Sequence, residues 1–405
     1  MYKIENKGYL NLFDLKIKYH ILLNLIQNES NQQFHQNYIF LFYYNSKILI
    51  FKISICNDKD MREKKNKFLI GKLKHKFLQK MLSEFVSTTH LKDDRVVVGS
   101  NIGEDAAVID MGDKYLVAKT DPITFVTDEI GYYAVNVNVN DVVCTGATPK
   151  WFQSTILLPA EHTDEDLIET IFRNIHDTCK SLGITVIGGH TEITAGLDRP
   201  IVIGSLLGEV EKDKLVLTSG AKAGDSIILT KGVFIEGTSI IAREKEDFLK
   251  KKGYSNQFIE KCKNYLFKPG ISIFKEAVIS NDNFTVTSMH DLTEGGLFCG
   301  IAETAIASNL GVLINKDKIN VLPEPRELSK IFNIDPYSTI SSGSLLISIN
   351  PELAGDLINL LAKNGVASET IGKFTKDEYD YLILDENNRE KTMIYTEVDE
   401  ITKIF

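Results

Sequence analysis

Cysteine and proline are scarce in this 405-residue chain, at five and nine residues. The cysteines (Cys56, Cys144, Cys179, Cys262 and Cys299) are scattered with no CxxC pair. That spacing argues against a disulfide framework and against a zinc site, and it fits a reducing cytoplasm. An excess of basic charge is also missing. Lys and Arg number 46 against 55 Asp and Glu, for a net charge of -9, so the basic face that nucleic acid requires is not expected. Long apolar runs are missing too. The most apolar stretch, 38–56 (YIFLFYYNSKILIFKISIC), is interrupted by Asn45, Ser46, Lys47 and Lys52. A lysine in mid-span costs roughly 2.5–3.5 kcal/mol on insertion, and the run 38–44 is too short to span alone. No small-residue cleavage site follows a compact apolar core, so a signal peptide is not expected. Two strands, 38–44 and 47–55, joined by a turn at Asn45-Ser46, account for the stretch better. No membrane partner follows.

What is present is an ordinary globular composition, 43% hydrophobic and 25% charged, with length for two domains. Residues 1–60 read as an N-terminal extension, and Met61 is an alternative start of synthesis. Apolar residues at helical spacing from Leu69 to Phe85 predict a helix over 67–86. Short strands are expected at 95–98, 106–110 and 115–119. The segment 130–147 is ambiguous: Val135, Val137 and Val139 alternate with asparagines as in a strand, while its length and Gly146 suit a helix. Beyond it the pattern predicts a strand at 150–158, a helix at 164–182 capped by Thr163, and strands at 184–187 and 201–210. A junction at 218–224 precedes a second half of mixed strands (226–229, 285–289, 345–349, 369–374) and helices (294–309, 351–364). The class is α+β.

Four acidic clusters carry the chemistry: Gly103-Glu104-Asp105, Thr120-Asp121, Asn140-Asp141 and Gly188-Gly189-His190-Thr191-Glu192. Each is expected in a short loop at an element end. Gathered carboxylates repel one another unless a cation sits among them, and hard oxygen donors suit Mg2+ with substrate phosphates. The alternative for any single cluster is a turn or a helix cap. Cys144, Cys179 and Cys299 are expected to be packing residues, and His290 a structural one.

The ordered motifs GEDAAV, KTDPIT, NVNDVVCTGATPKWF, GGHTEIT, GAKAGDSIILTKG, HDLTEGGL and SSGSLLISI resemble those of the ATP-binding enzymes related to aminoimidazole ribonucleotide (AIR) synthetase, the PurM-like superfamily. The resemblance runs over about 67–380 and is strongest to archaeal HypE-like hydrogenase maturation proteins. It implies a two-domain fold: 61–215 as an N-terminal half whose strands form a dimeric barrel with an ATP cleft, 216–380 as a C-terminal α/β sandwich, and 381–405 as a tail. It also implies that 130–144 is a helix. Carried over by position, it makes Asp105, Asp121 and Asp141 Mg2+ ligands, with Asp105, Asp141 and Glu192 catalytic. Gly103, Glu104, Lys119, Asp121, Asn140, Gly188, Gly189, His190 and Asp291 would bind Mg2+–ATP; Lys231 lies beside a matching motif. Asp291 or Thr293 would cap the following helix, with Gly295-Gly296 open to ligand. The implied reaction is ATP-dependent phosphorylation of a carbonyl- or amide-type oxygen with release of ADP, within hydrogenase maturation. Its acceptor would be a free small molecule or a thiol adduct borne by a maturation-protein partner, because no cysteine follows Cys299 to carry the substrate on a tail. No cysteine near the first acidic loop disfavours selenophosphate synthesis. A kinase resembling thiamine-monophosphate kinase, or a non-catalytic nucleotide-binding scaffold, is the alternative.

Overall fold

The computed structural model describes residues 37–44, 47–54, 70–73, 75–86, 93–99, 103–378, 380–385, 387–396 and 398–405. The chain divides into two compact units, Met1–Leu69 and Ile70–Phe405. In the first, β1 (Asn37–Tyr44) and β2 (Lys47–Ser54) pair antiparallel with Tyr44 opposite Lys47. Their aromatic and β-branched content makes them the expected strands. The turn between them and the start at Met61 lie outside the described residues.

Among the described residues, the second unit holds two sheets. The first has six strands: β3 (Val96–Val98), β4 (Ala107–Asp110), β5 (Lys114–Ile123), β6 (Thr148–Pro159), β7 (Thr185–Thr194) and β8 (Ile201–Glu211), in the order β3-β4-β5-β8-β6-β7. The second has seven: β9 (Ser226–Thr230), β10 (Val286–Asp291), β11 (Gly311–Asn315), β12 (Leu345–Ile349), β13 (Ser368–Thr375), β14 (Tyr381–Leu384) and β15 (Glu390–Thr392), in the order β10-β12-β9-β13-β11-β14-β15. Pairing is antiparallel except for β6 with β7 and β11 with β14. The helices are α1 (His75–Met81), α2 (Ile130–Cys144), α3 (Glu165–Ser181), α4 (Ile235–Glu244), α5 (Glu246–Lys251), α6 (Asn256–Lys263), α7 (Phe274–Asn283), α8 (Gly296–Ser308), α9 (Pro323–Phe332) and α10 (Pro351–Lys363). No described helix is long and apolar enough to cross a membrane.

Helix α2 holds this unit together. It packs on β5, β6 and β8 of the first sheet, on α3, and on β10 and α7 of the second half. Every residue of it except Tyr132 is buried, so it has no polar face to give a helical period. That is why the Val/Asn alternation reads as a strand in a segment that is a helix. The asparagines survive burial by local bonding: Asn136 and Asn138 donate to the carbonyls of Tyr132 and Ala134, one turn back. The fit against β8 is close. A Cβ at Gly204 would lie 2.3 Å from Asn138 Nδ2 and 3.0 Å from the Ala134 carbonyl, so only glycine fits.

Four expectations are corrected. Among the described residues of the helix expected over 67–86, His75–Met81 are α-helical and Leu82–Val86 form a single π-turn, while 70–73 are irregular. The cap of α3 is Asp164, which accepts from Leu167 N at 2.8 Å, while Thr163 donates instead to the Pro159 carbonyl. Three of the four acidic clusters sit inside elements rather than in loops: Asp121 in β5, Asp141 in α2, and Gly188 to Glu192 in β7. The glycine pair does not break β7 because parallel pairing with β6 carries the strand through it. Finally, neither Asp291 nor Thr293 caps α8. Gly295 precedes the helix, and its N–H donates to Asp399 Oδ2 at 2.6 Å, so the carboxylate comes from the far end of the sequence.

Candidate active site

The first sheet and α2 meet the second half at an acidic cluster in which Asp141 and Asp291 are buried and Asp105 and Asp121 partly so. Asp105 precedes β4, Lys119 and Asp121 lie on β5, Asp141 on the last turn of α2, and Asp291 ends β10. Lys119 Nζ stands 3.0 Å from Asp141 Oδ1 and 3.4 Å from Asp121 Oδ2. Asp105 and Asp291 each place a carboxylate oxygen within 4.8 Å of the other and of Cys144 Sγ. Burial works against the Lys119 charge, yet Asp141, Asp121, Asp105 and Asp291 outweigh it and raise its pKa above the ordinary lysine value. Burial pushes the Asp141 carboxyl well above the usual carboxylate range, with Asp291, Asp121 and Asp105 adding to the push and Lys119 opposing it. Burial and the Asp105 charge push Asp291 up to about 7. Asp141 Oδ2 and Asp291 Oδ2 are buried and lack a hydrogen-bond partner among the described residues.

A second line of side chains runs back from this cluster. His290 Nδ1 pairs with Asp105 Oδ1 at 2.7 Å, and His290 Nε2 with Glu303 Oε2 of α8 at 3.2 Å. Burial opposes a charge on the ring, but Asp105 and Glu303 raise its pKa well above the ordinary histidine value. Glu303 Oε1 meets His75 Nε2 of α1 at 3.1 Å. Lys72, just before α1, donates to Thr293 Oγ1 at 2.9 Å and lies 3.6 Å from Glu294 Oε2. Lys72, His75, His290 and Glu303 are absent from the sequence-derived site. His290 had a signal in its position beside Asp291. Lys72 and His75 had none, because a lysine and a histidine at the start of an amphipathic stretch look like any solvated pair.

The other expected residues are placed elsewhere or already engaged. Asn140 spends both ends of its amide across the junction, donating to the Ile271 carbonyl at 2.8 Å and accepting from Ile273 N at 3.0 Å. Glu104 accepts from the backbone N–H groups of Thr218 and Ser219, both at 3.3 Å. Asp105 Oδ2 accepts from Thr218 Oγ1 at 3.2 Å. Gly103 lies against α8, where a Cβ would come 3.0 Å from the Glu303 carbonyl. Lys231 is neither solvated nor in the cluster; it pairs with Glu276 at 2.8 Å and donates to the carbonyls of Gly270 and Ser272. Gly188, Gly189, His190 and Glu192 lie along the exposed edge strand β7. His190 and Glu192 bond to each other at 3.0 Å, and none of their bonds reaches the buried aspartates.

Residues 103–210 match the family AIR synthase related protein, N-terminal domain, and residues 222–385 match AIR synthase related protein, C-terminal domain. The chain belongs to the AIR synthase-related family. Among its relatives is a Methanocaldococcus jannaschii protein named for hydrogenase expression and formation, 29% identical over 317 residues that cover 75% of this chain and 90% of that one. Among solved structures, Escherichia coli HypE superposes with a TM-score of 0.63 at 17% identity, covering 81% of this chain and all of that one. The hydrogenase maturation protein HypE in complex with ATP superposes at 0.58 and 18% identity, covering 80% and 96%. These likenesses establish the PurM-like fold, with one mixed sheet in each half. For this AIR synthase-related chain the donor set fits Mg2+: hard carboxylate oxygens, two of them buried without a partner, held together against their own repulsion.

Proposed function

We propose that this chain is a HypE-like ATP-dependent enzyme. It binds Mg2+–ATP at the junction of its halves, activates a carbonyl- or amide-type oxygen by phosphorylation and releases ADP. The observation that carries this reading is the pair of unpartnered buried oxygens on Asp141 and Asp291, set among Asp105, Asp121 and Lys119. Such an arrangement is costly without a cation. Asp105, Asp121, Asp141 and Asp291 would hold Mg2+, which supplies charge neutralisation for the phosphates. Hydrogenase maturation is the setting we favour, on the strength of the archaeal relative.

The protein's own residues then have distinct tasks. Lys119, protonated and wedged between Asp141 and Asp121, fixes the spacing of the two carboxylates and offsets part of their repulsion. His290 holds Asp105 from behind, and Thr218 from the second half fixes its other oxygen, so the ligand sits at the seam in one orientation. Glu104 ties the same 218–219 backbone to the first half. Positioning of this kind dominates phosphoryl transfer, where alignment and charge do most of the catalysis. Lys72 places an ammonium at the start of α8, beside Thr293, where it meets an incoming anionic group. The exposed β7 edge, with Val186, Ile187 and Ile193 uncovered, supports a homodimer in which a second copy covers that strand and brings His190 and Glu192 to a nucleotide.

The test is ADP release from ATP by the purified protein, with Mg2+ and with EDTA. Turnover that requires Mg2+ and is lost in Asp141→Asn is expected. Hydrolysis that survives both changes would remove the reading, and nucleotide binding without any turnover, tried with carbamoylated thiols as acceptors, would leave a scaffold in its place.

A further inference from the structure

Behind the acidic cluster, on the side of α8 that faces α1, three unlike donors come together. Cys299 and Glu303 are one turn apart on α8, so both side chains lie on the same face of the helix. His75 of α1 reaches the same place and meets Glu303 Oε1 at 3.1 Å through Nε2. One ligand atom from each (an imidazole nitrogen, the Cys299 sulfur and a carboxylate oxygen) falls within 4.8 Å of the other two. Cys299 and Glu303 are buried, and the His75 side chain is 14% exposed, so the group lies just under the surface.

We propose that His75, Cys299 and Glu303 form a binding site for a thiophilic divalent transition ion of the Zn2+ class, separate from the oxygen-lined nucleotide site. The donor set selects the metal. A sulfur ligand and an imidazole suit Zn2+, Co2+ or Fe2+ and do not suit Mg2+. Ligands around a tetrahedral Zn2+ stand roughly 3.5 Å apart, so the side chains need close by only about 1 Å. The carboxylate already has the orienting partner that metal ligands use: Glu303 Oε2 is held by His290, while Oε1 now bonds His75 Nε2, a contact that the ion would replace by sitting between the two. Binding releases the thiol proton, and the three protein ligands leave one position of a tetrahedral ion for water or another donor. The scattered cysteine spacing argues only against a local CxxC-type site; here one helix supplies an i, i+4 pair and a distant segment supplies the third donor. Glu303 also links the two sites, since His290 bridges it to Asp105.

Titration of the full chain with Co2+ in excess Mg2+ tests this, because a thiolate on Co2+ gives a sulfur-to-metal charge-transfer band in the near ultraviolet that oxygen ligands do not. Wild type is expected to develop the band at one equivalent. Cys299→Ser is expected to lose it, and His75→Ala, which removes a ligand outright, to weaken Co2+ binding by at least the roughly tenfold to hundredfold that loss of an outer-shell partner costs. Cys144→Ser, which alters the other thiol close to carboxylates, should keep it. Circular dichroism of each variant separates loss of the site from loss of the fold. No band in wild type, a band that follows Cys144 instead of Cys299, or affinity unchanged in a folded His75→Ala protein would each overturn the proposal.

Discussion

A carboxyl that is buried among other carboxyls is a stored electrostatic cost, and Asp291 makes that cost measurable. Its pKa moves from 3.8 to about 7, through burial first and Asp105 second. Between those values the folded protein keeps a proton that the unfolded chain has released, so metal-free stability falls as pH rises through the window. Asp291→Asn has no proton to lose there. Its Tm without metal should fall less than that of wild type between about pH 4 and about pH 7, by a few degrees at the upper end. Parallel curves for the two proteins in EDTA would contradict the assigned burial. Glu236 offers a second test away from the nucleotide site, since burial pushes it up to about 8. By the same sign, Glu236→Gln should flatten the decline in stability up to about pH 8. At this scale the residues themselves pointed to Asp105, Asp121 and Asp141, and the family resemblance to Asp291; the structure brings the four together. The sequence alone did not show that Asn140 and Glu104 bond to backbone groups at the domain seam, because the same polar atoms can serve ligands or backbone.

Elements show where periodicity stops carrying information. Helix α3 has one solvated face and was legible from its apolar stripe, whereas β8 alternates strictly in burial but not in sequence, apolar residues standing on both of its faces. Helix α2 was not legible from pattern, since burial on all sides removes the contrast on which a period depends. Its position follows from close contact, and Gly204→Ala is expected to cost about 1–3 kcal/mol through overpacking against Asn138 and the Ala134 carbonyl. Chemical denaturation reads this directly; a variant as stable as wild type would show that α2 can shift at no cost. Strand β7 was only partly legible, because a glycine pair looks like a turn unless the parallel neighbour is known. Its uncovered edge gives a further expectation. Ile193→Lys should leave the fold intact and shift a dimer to monomer in analytical ultracentrifugation, whereas an unchanged association state would place the interface elsewhere.

At the scale of the molecule, the unit Ile70–Phe405 is two halves joined through α2, Thr218 and the Ile271–Ile273 segment, with the acidic cluster at the joint. Both family matches and every residue of the cluster lie within the unit Ile70–Phe405. Protein lacking residues 1–60 is therefore expected to fold and to bind Mg2+–ATP as the full chain does; an insoluble product, or one that has lost nucleotide binding, would show that the first unit is required. The central claim is that the partnerless carboxylate oxygens exist to hold a cation against nucleotide phosphates. Calorimetric titration of ATP into wild type and Asp141→Asn, each with Mg2+ and with EDTA, tests it most directly. Mg2+-dependent binding by wild type, weakened at least about tenfold in the variant through loss of a charged contact worth roughly 1.5–3 kcal/mol, is the predicted result. Equal affinity in wild type and variant, or ATP binding indifferent to Mg2+, would contradict the account.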